Sequence, residues 1–237
     1  MKLVLLSDIH ANLNALKAVR ENLEKQQVEY CLLGDYIDYG PRPNEVIMEL
    51  NQINPLVKLA GNHENSLMKN DLAKFATDRG PQSLLYTKSI LNNKSNIFLS
   101  SLSYAPVELI LYDKKILFIH GDFSDVFWGK MNYEEMKKET YKSYDFVISG
   151  HTHVPHLIDM YYNDNNPSKR NQKRVTFLNP GSVGQPRNHN NMAQYVEMDL
   201  ERESISFIKV PYDFENEKLY FSNEIDEFYK NRLSEGI

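Results

Sequence analysis

Residues 2–10 read KLVLLSDIH, an apolar run that ends in an aspartate and a histidine separated by one residue. A short, continuous apolar run rich in branched side chains is typical of a strand buried on both faces of a sheet. Asn12 is suited to cap a helix, and apolar residues then recur at helical spacing from Leu13 to Leu23. This part of the chain therefore predicts a buried strand followed by an amphipathic helix.

The same strand and helix pattern recurs along the next fifty residues. Residues 30–33 and 56–59 are further apolar runs that predict strands, and residues 45–50 have the spacing of a helix between them. Strands that alternate with helices in this way predict a parallel sheet.

Polar residues follow each of these three strands. Asp8 and Asp35 are 27 positions apart, and so are Asp35 and Asn62. The carboxyl ends of parallel strands meet at one edge of a sheet, where ligands of open α/β folds bind. We therefore expect the three side chains to converge on a functional site.

The remainder of the chain predicts a change of architecture. Residues 64–104 favour a helical lobe over one side of the site, with breaks at Pro81 and at residues 92–93. The later apolar runs predict an antiparallel half, a long polar loop and a final helix. We place strands at 107–111, 116–120, 146–149, 155–160, 175–179, 193–199 and 204–210, the loop at 161–173 and the helix at 224–233.

Composition limits the classes of function. The length of 237 residues favours a single domain, residues 1–237, and the net charge of −5 argues against a protein that coats long nucleic acid. No apolar run approaches the length of a membrane span, and the single cysteine, Cys31, lies in a predicted strand. These features predict a cytoplasmic protein that contacts neither membrane nor long nucleic acid, and they leave its oligomeric state open.

Five of the seven histidines lie in short clusters beside Asp, Asn or Gly: His10, His63, His120, His151 and His153. Imidazole combined with carboxylate and amide oxygens suits Mn, Fe, Zn, Ni or Co better than Ca or Mg, which prefer oxygen alone. His156 and His189 lie outside these clusters, and we interpret them as structural or surface residues. The clusters predict a transition-metal site.

The number of candidate ligands indicates two ions rather than one. Seven ligands suit a pair of divalent or trivalent ions about 3.5 to 4 Å apart, with Mn our first choice and Asp35 as the bridging carboxylate. A hydroxide held between such ions would attack phosphorus. His63 is then placed to act as general acid, with Asp38 orienting its ring.

Five ordered motifs resemble those of the calcineurin-like metallophosphoesterases: DIH at 8–10, GDYID at 34–38, GNHE at 61–64, HG at 120–121 and GHTH at 150–153. The resemblance implies a four-layer α/β/β/α sandwich of two mixed sheets flanked by helices. It also implies one metal on Asp8, His10, Asp35 and His153, and a second on Asp35, Asn62, His120 and His151. The segment NPGSVGQPR at 179–187 resembles the small bacterial phosphodiesterase branch.

One position departs from part of that family. Protein phosphatases and symmetrical dinucleoside tetraphosphatases carry Arg after the second Asp of the second motif, where this chain has Tyr39. Phosphate recognition must therefore differ, and Arg42 and Arg187 are the candidate substitutes because a guanidinium can hold two phosphate oxygens. Glu64 replaces an Asp of many relatives, which we interpret as a minor change.

Two functions are compatible with these motifs. The first is hydrolysis of a phosphoester or phosphoanhydride in a small phosphorylated substrate, such as a nucleotide or dinucleoside polyphosphate. The alternative is a non-catalytic protein-binding scaffold of the same fold, which the presence of His63 disfavours. Phe123, Phe127 and Trp128 are interpreted first as core residues, with base stacking as a hypothesis.

Overall fold

A computed structural model describes residues 1–237, which form two five-stranded sheets and eight α-helices. The strands are β1 Lys2–Leu6, β2 Glu29–Leu32, β3 Val57–Lys58, β4 Val107–Leu111, β5 Lys114–Phe118, β6 Phe146–Ile148, β7 His156–Asn163, β8 Gln172–Asn179, β9 Ala193–Asp199 and β10 Ser204–Val210. The helices are α1 Leu13–Leu23, α2 Pro43–Leu50, α3 Asn62–Lys69, α4 Arg79–Ile90, α5 Asn93–Ser100, α6 Tyr133–Met136, α7 Phe214–Lys218 and α8 Glu227–Glu235.

The first sheet has the strand order β10-β9-β1-β2-β3. Strands β1, β2 and β3 are parallel, as the repeated strand and helix pattern predicts, and β9 and β10 add to the sheet in antiparallel fashion. Asn12 caps α1 by accepting a hydrogen bond from the Ala15 backbone N–H, as predicted.

The second sheet has the order β4-β5-β6-β8-β7. Its central strands β5, β6 and β8 are parallel, so the prediction of an antiparallel second half is wrong where β8 pairs with β6. The pairs β7–β8 and β9–β10 are antiparallel, as predicted. The crossover between β5 and β6 contains α6, and the chain then makes β7 at the sheet edge before returning in β8 beside β6. The predicted loop at 161–173 is also too long, because β7 continues to Asn163 and β8 begins at Gln172.

Three apolar clusters hold the layers together. Leu3 and Leu5 of β1 face Phe118 and Ile148 of the other sheet, whereas Val4 and Leu6 of β1 face the helices on the opposite side. A third cluster covers the outer face of the second sheet with residues around α6. The predicted four-layer α/β/β/α architecture of two mixed sheets is confirmed, although the helical layer on the second sheet is short.

The segment between β3 and β4 is helical, with α3, α4 and α5 in succession. Pro81 does not break a helix there. It lies in the first turn of α4, where a backbone N–H has no partner within the helix and a proline is tolerated. The final helix, α8, lies three residues later than predicted at its start, and none of the helices has the length and hydrophobicity needed to cross a membrane.

Candidate metal centre

The candidate ligands follow the carboxyl ends of parallel strands in both sheets. Asp8 follows β1, Asp35 follows β2 and Asn62 begins the helix after β3. His120 follows β5, and His151 follows β6. Because the two sheets pack face to face, residues from five separate strand ends come together at one edge of the sandwich.

The backbone at these positions adopts the left-handed region that side chains other than glycine usually avoid. Asp8, His10, Asp35, His151 and His153 have φ values of 54°, 46°, 56°, 65° and 59°. Strained backbone of this kind persists where the surrounding structure enforces it, and it concentrates at functional sites. Strained backbone at five candidate ligands therefore supports a functional site at this edge of the sandwich.

The first group of ligand atoms comprises Asp8, His10, His153 and Asp35, which are all buried. His10 Nε2 lies 3.1 Å from His153 Nε2 and 3.8 Å from Asp35 Oδ2. His153 Nε2 also lies 3.3 Å from Asp8 Oδ1. These four side chains are close enough to surround a single ion.

The hydrogen bonds of the two imidazoles determine which nitrogen carries the proton. His10 Nδ1 lies 3.2 Å from the Ile37 carbonyl oxygen, and His153 Nδ1 lies 2.7 Å from that of Gln185. A carbonyl only accepts, so each ring donates from Nδ1 and presents an unprotonated Nε2. Burial lowers the pKa of both rings, so two Nε2 lone pairs face each other, an arrangement that a cation between them would stabilise.

Asp8 gives the most direct test of whether the site fits a metal ion. Its side chain is fully buried, and neither carboxylate oxygen accepts a hydrogen bond. Burial raises the pKa of Asp8 to about 7. Buried charge without a partner is strongly unfavourable, so either a proton or a cation neutralises this carboxylate, and the buried His/Asp cluster fits a metal site.

The second group shares Asp35 with the first and adds His120 and His151. His120 Nε2 lies 3.3 Å from Asp35 Oδ2 and 3.1 Å from Asn62 Oδ1, while its Nδ1 donates to the Leu33 carbonyl at 2.7 Å. His151 Nδ1 lies 2.8 Å from Asn62 Oδ1. Burial is the largest single effect and lowers the pKa of His120, but Asp35, Asp8 and the hydrogen bond to Leu33 together raise it to about 9.

His63 lies beside both groups and pairs with Asp38. Its Nδ1 is 2.7 Å from Asp38 Oδ2, and its Nε2 is 3.9 Å from Asp35 Oδ2. Asp38 is held in turn by the hydroxyl of Ser83 and by the Tyr39 backbone N–H. Burial opposes protonation, but the charges of Asp35 and Asp38 raise the pKa of His63 above its ordinary value.

Glu64 has a larger role than the sequence indicated. Its buried carboxylate accepts the backbone N–H groups of Asp35 and Gly61 through Oε2, each at 2.8 Å, and those of Tyr36 and Ile37 through Oε1. Four main-chain donors thus fasten the loop that carries Asp35 to the start of α3. The signal available in the sequence was a carboxylate at the third position of a helix, where it can satisfy free N–H groups.

Of the two arginines predicted to bind substrate, only Arg187 lies at the site. It lines a cavity of about 640 Å³ together with Asp35, His63 and His153. The prediction for Arg42 is wrong, because its guanidinium pairs with the fully buried carboxylate of Glu217 and does not line the cavity. A cation that is already paired with a buried carboxylate has little capacity left for a phosphate.

The aromatic residues after His120 lie in different environments. Trp128 lines the cavity, with its ring 6.0 Å from that of His151. Phe127 packs against the core beside α3, and Phe123 stacks on Tyr141 away from the cavity. Base stacking therefore stays a hypothesis for Trp128 alone. His156 and His189 do not line the cavity, in keeping with their interpretation as structural or surface residues.

Comparison with known proteins identifies the family. A family model described as calcineurin-like phosphoesterase superfamily domain matches residues 1–203. The chain belongs to this family. An uncharacterized protein of Methanocaldococcus jannaschii is 29% identical to this calcineurin-like phosphoesterase over 240 residues, which cover 99% of this chain and 95% of that protein. Phosphodiesterase YfcE of Escherichia coli is 25% identical over 210 residues, which cover 84% of this chain and 88% of YfcE.

A solved structure supports the fold of this calcineurin-like phosphoesterase. The metallophosphoesterase from Sphaerobacter thermophilus superimposes with a TM-score of 0.77 at 24% identity, and the match covers 100% of both chains. Membership of the family indicates hydrolysis of phosphoesters with the help of divalent metal ions, and the buried His/Asp cluster fits that chemistry.

Proposed function

We propose that this protein is a binuclear metallophosphoesterase, formed as one domain by residues 1–237, that hydrolyses a phosphoester or phosphoanhydride bond in a small phosphorylated molecule. The observation that carries the proposal is the Asp35 carboxylate, which belongs to two buried groups of ligand atoms. Asp8, His10 and His153 would complete one metal site. Asn62, His120 and His151 would complete the other.

The donor set of imidazole, carboxylate and amide favours a transition metal, with Mn first and Fe, Zn, Ni or Co as alternatives. When bound, two such ions would supply a nucleophilic hydroxide at neutral pH and neutralise charge on the phosphate oxygens. The protein holds the ligands in position beforehand, because main-chain carbonyls orient His10, His120 and His153 through their Nδ1 atoms.

His63 is proposed to give a proton to the leaving-group oxygen. Asp38 accepts the Nδ1 proton, so that Nε2 is the atom directed toward the candidate metal ligands. Asp35 and Asp38 both raise the pKa of His63. Cations on Asp35 would remove part of that effect, whereas the hydrogen bond that His63 donates to Asp38 would remain, so Asp38 is the group that keeps the acid protonated.

Arg187 is proposed to bind a phosphate group of the substrate, in place of the arginine that Tyr39 replaces. The cavity collects positive charge although the chain is acidic overall. Lys130, Arg187 and Arg232 line it without a side-chain carboxylate partner, Lys74 lines it but pairs with Asp125, and Asp35 is the sole carboxylate among the lining residues. A cavity of this charge attracts anions. The similarity to a phosphodiesterase, YfcE, favours a phosphodiester among the substrate classes.

The proposal is tested by metal analysis and turnover on the same purified samples. Protein stripped with a chelator and reloaded with Mn²⁺ is assayed on bis-p-nitrophenyl phosphate, p-nitrophenyl phosphate and diadenosine polyphosphates. We expect two metal ions per chain and turnover of at least one ester. Asp35→Ala should lose both, whereas His156→Ala, which removes a histidine outside the site, should retain both.

Two results would contradict the proposal. One bound metal ion per chain would exclude the binuclear centre. Two bound ions without turnover of any ester would instead favour the non-catalytic scaffold.

A further inference from the structure

The C-terminal helix α8 closes one side of the cavity with residues that lie outside the matched family region, residues 1–203. Tyr229 of α8 stacks on Tyr39 with ring centroids 4.2 Å apart, and Arg232 projects into the same cavity as Arg187. The backbone N–H of His189 donates to the Gly236 carbonyl at 2.7 Å, which fixes the end of α8 to the segment that carries Arg187. The helix is therefore part of the wall of the site.

Gln185 joins the two arginines to the candidate metal centre. Its side-chain oxygen lies 3.2 Å from Arg187 Nη2 and 3.2 Å from Arg232 Nη1, so one buried amide accepts from both guanidinium groups. Its main-chain oxygen accepts the Nδ1 proton of His153. A single residue thus positions a candidate ligand on one side and a pair of cations on the other.

Neither guanidinium of this pair forms an ion pair with a side-chain carboxylate. Arg232 Nε donates to a main-chain oxygen of Ile237, and the buried Arg187 Nε has no hydrogen-bond partner. Burial and the charge of Arg187 lower the pKa of Arg232 to about 10, which still leaves it charged at neutral pH. Arg42 shows the contrast, because it is paired with the buried Glu217 carboxylate.

We propose that Arg187 and Arg232 form a second anion subsite that holds a phosphate adjacent to the scissile one, so that the substrate carries at least two linked phosphates. The inference rests on the proposed function for the location of the scissile phosphate. Two guanidinium groups bridged by a neutral amide present several N–H donors to one anion, which is the geometry that binds a phosphate by paired hydrogen bonds. Arg232 is the specificity-determining residue of this subsite.

The test compares two adenosine ligands that differ by one phosphate. Adenosine 5′-monophosphate and the α,β-methylene analogue of adenosine 5′-diphosphate are titrated into Mn²⁺-loaded protein by isothermal titration calorimetry at low temperature. The wild type should bind the diphosphate analogue at least about tenfold more tightly than the monophosphate, a typical effect of one charge-assisted contact. Arg232→Gln should remove that preference by weakening the diphosphate analogue far more than the monophosphate, and the monophosphate binding that remains shows that the variant is folded.

Arg79→Gln is the matched control. Arg79 lies over the same Phe228 ring as Arg232, at 4.5 Å against 4.8 Å, but it does not contact Gln185 or line the cavity. Arg79→Gln removes one positive charge close to the cavity, as Arg232→Gln does, but the preference for the diphosphate analogue should remain. If both variants lose the preference equally, the preference reflects the overall positive potential of the cavity and not contacts of Arg232, and the subsite is refuted.

Turnover of bis-p-nitrophenyl phosphate, p-nitrophenyl phosphate and diadenosine polyphosphates in the same samples separates the two proposals. Turnover without a preference for the diphosphate analogue would refute the subsite and leave the phosphoesterase function standing. A preference that depends on Arg232, in a protein without turnover, would support the anion subsite and refute the catalytic function.

Discussion

Asp8 provides the sharpest test of the candidate metal centre, because its burial has a calculable effect on the metal-free protein. Its pKa is raised by burial to about 7, against an ordinary value of 3.8. That difference corresponds to about 4 kcal/mol of destabilisation when the carboxylate is ionised in the folded state. We predict that Asp8→Asn stabilises the metal-free protein at pH 8.

The pH dependence follows from the direction of the shift. The folded protein holds the Asp8 proton more tightly than the unfolded chain does, so stability falls as pH rises from about 3.8 to about 7 and stays low above that. Metal-free wild type should therefore lose about 3 kcal/mol more than Asp8→Asn between pH 5 and pH 8. Urea unfolding in a chelator at both pH values measures this difference.

Metal binding should reduce the stability advantage of Asp8→Asn over the wild type. Mn²⁺ at a hundredfold excess over its dissociation constant adds about 2.7 kcal/mol to a protein that binds it in the folded state alone, and Asp8→Asn should gain much less. Asp122→Asn is the control, since this buried carboxylate caps a turn by accepting the Ser124 and Asp125 backbone N–H groups. It should lose stability at both pH values yet respond to Mn²⁺ as the wild type does. If Asp8→Asn and the wild type show the same pH dependence and the same response to Mn²⁺, the reasoning is refuted.

Three further predictions concern the groups around the ligands. His63→Ala should keep both metal ions and lose about 10²- to 10⁴-fold in kcat on alkyl esters, but far less on p-nitrophenyl esters, whose leaving group needs no proton; equal losses on both would exclude the general acid. Asp38→Asn should shift the alkaline limb of the pH–rate profile on alkyl esters to lower pH, because the pKa of His63 falls when that carboxylate is neutralised; an unmoved limb would argue against the pair. Glu64→Gln should lower the free energy of unfolding by about 3 kcal/mol, since two of four buried N–H groups then face an amide NH₂; a urea midpoint equal to that of the wild type would contradict this role.

The ligand set could be predicted because the chemistry is carried by short motifs at strand ends. Asp8, Asp35 and Asn62 recur at the spacing of a strand and helix unit, and that spacing alone predicts that they meet at one sheet edge. The structure brings all seven predicted ligands together around Asp35. Ligation itself, like the cytoplasmic location, stays a prediction.

The arginines show where motif reasoning fails. Arg42 and Arg187 looked equivalent in the sequence, since each is a cation near a motif. The structure separates them through Glu217, a residue of α7 far along the chain that pairs with Arg42. Whether a charge is free or neutralised depends on long-range packing, which no local pattern encodes.

The sequence by itself determined the parallel strands β1 to β3, the family motifs and the residues that can bind metal, because strand periodicity and ligand chemistry are local properties. Tertiary structure alone decided that Glu64 fastens the Asp35 loop, that Arg42 is neutralised and that Arg232 enters the cavity. Each of these depends on which distant side chain comes within about 3 Å, the range over which hydrogen bonds form. The packing of α3, α7 and α8 around the sandwich decides which side chains come within that distance.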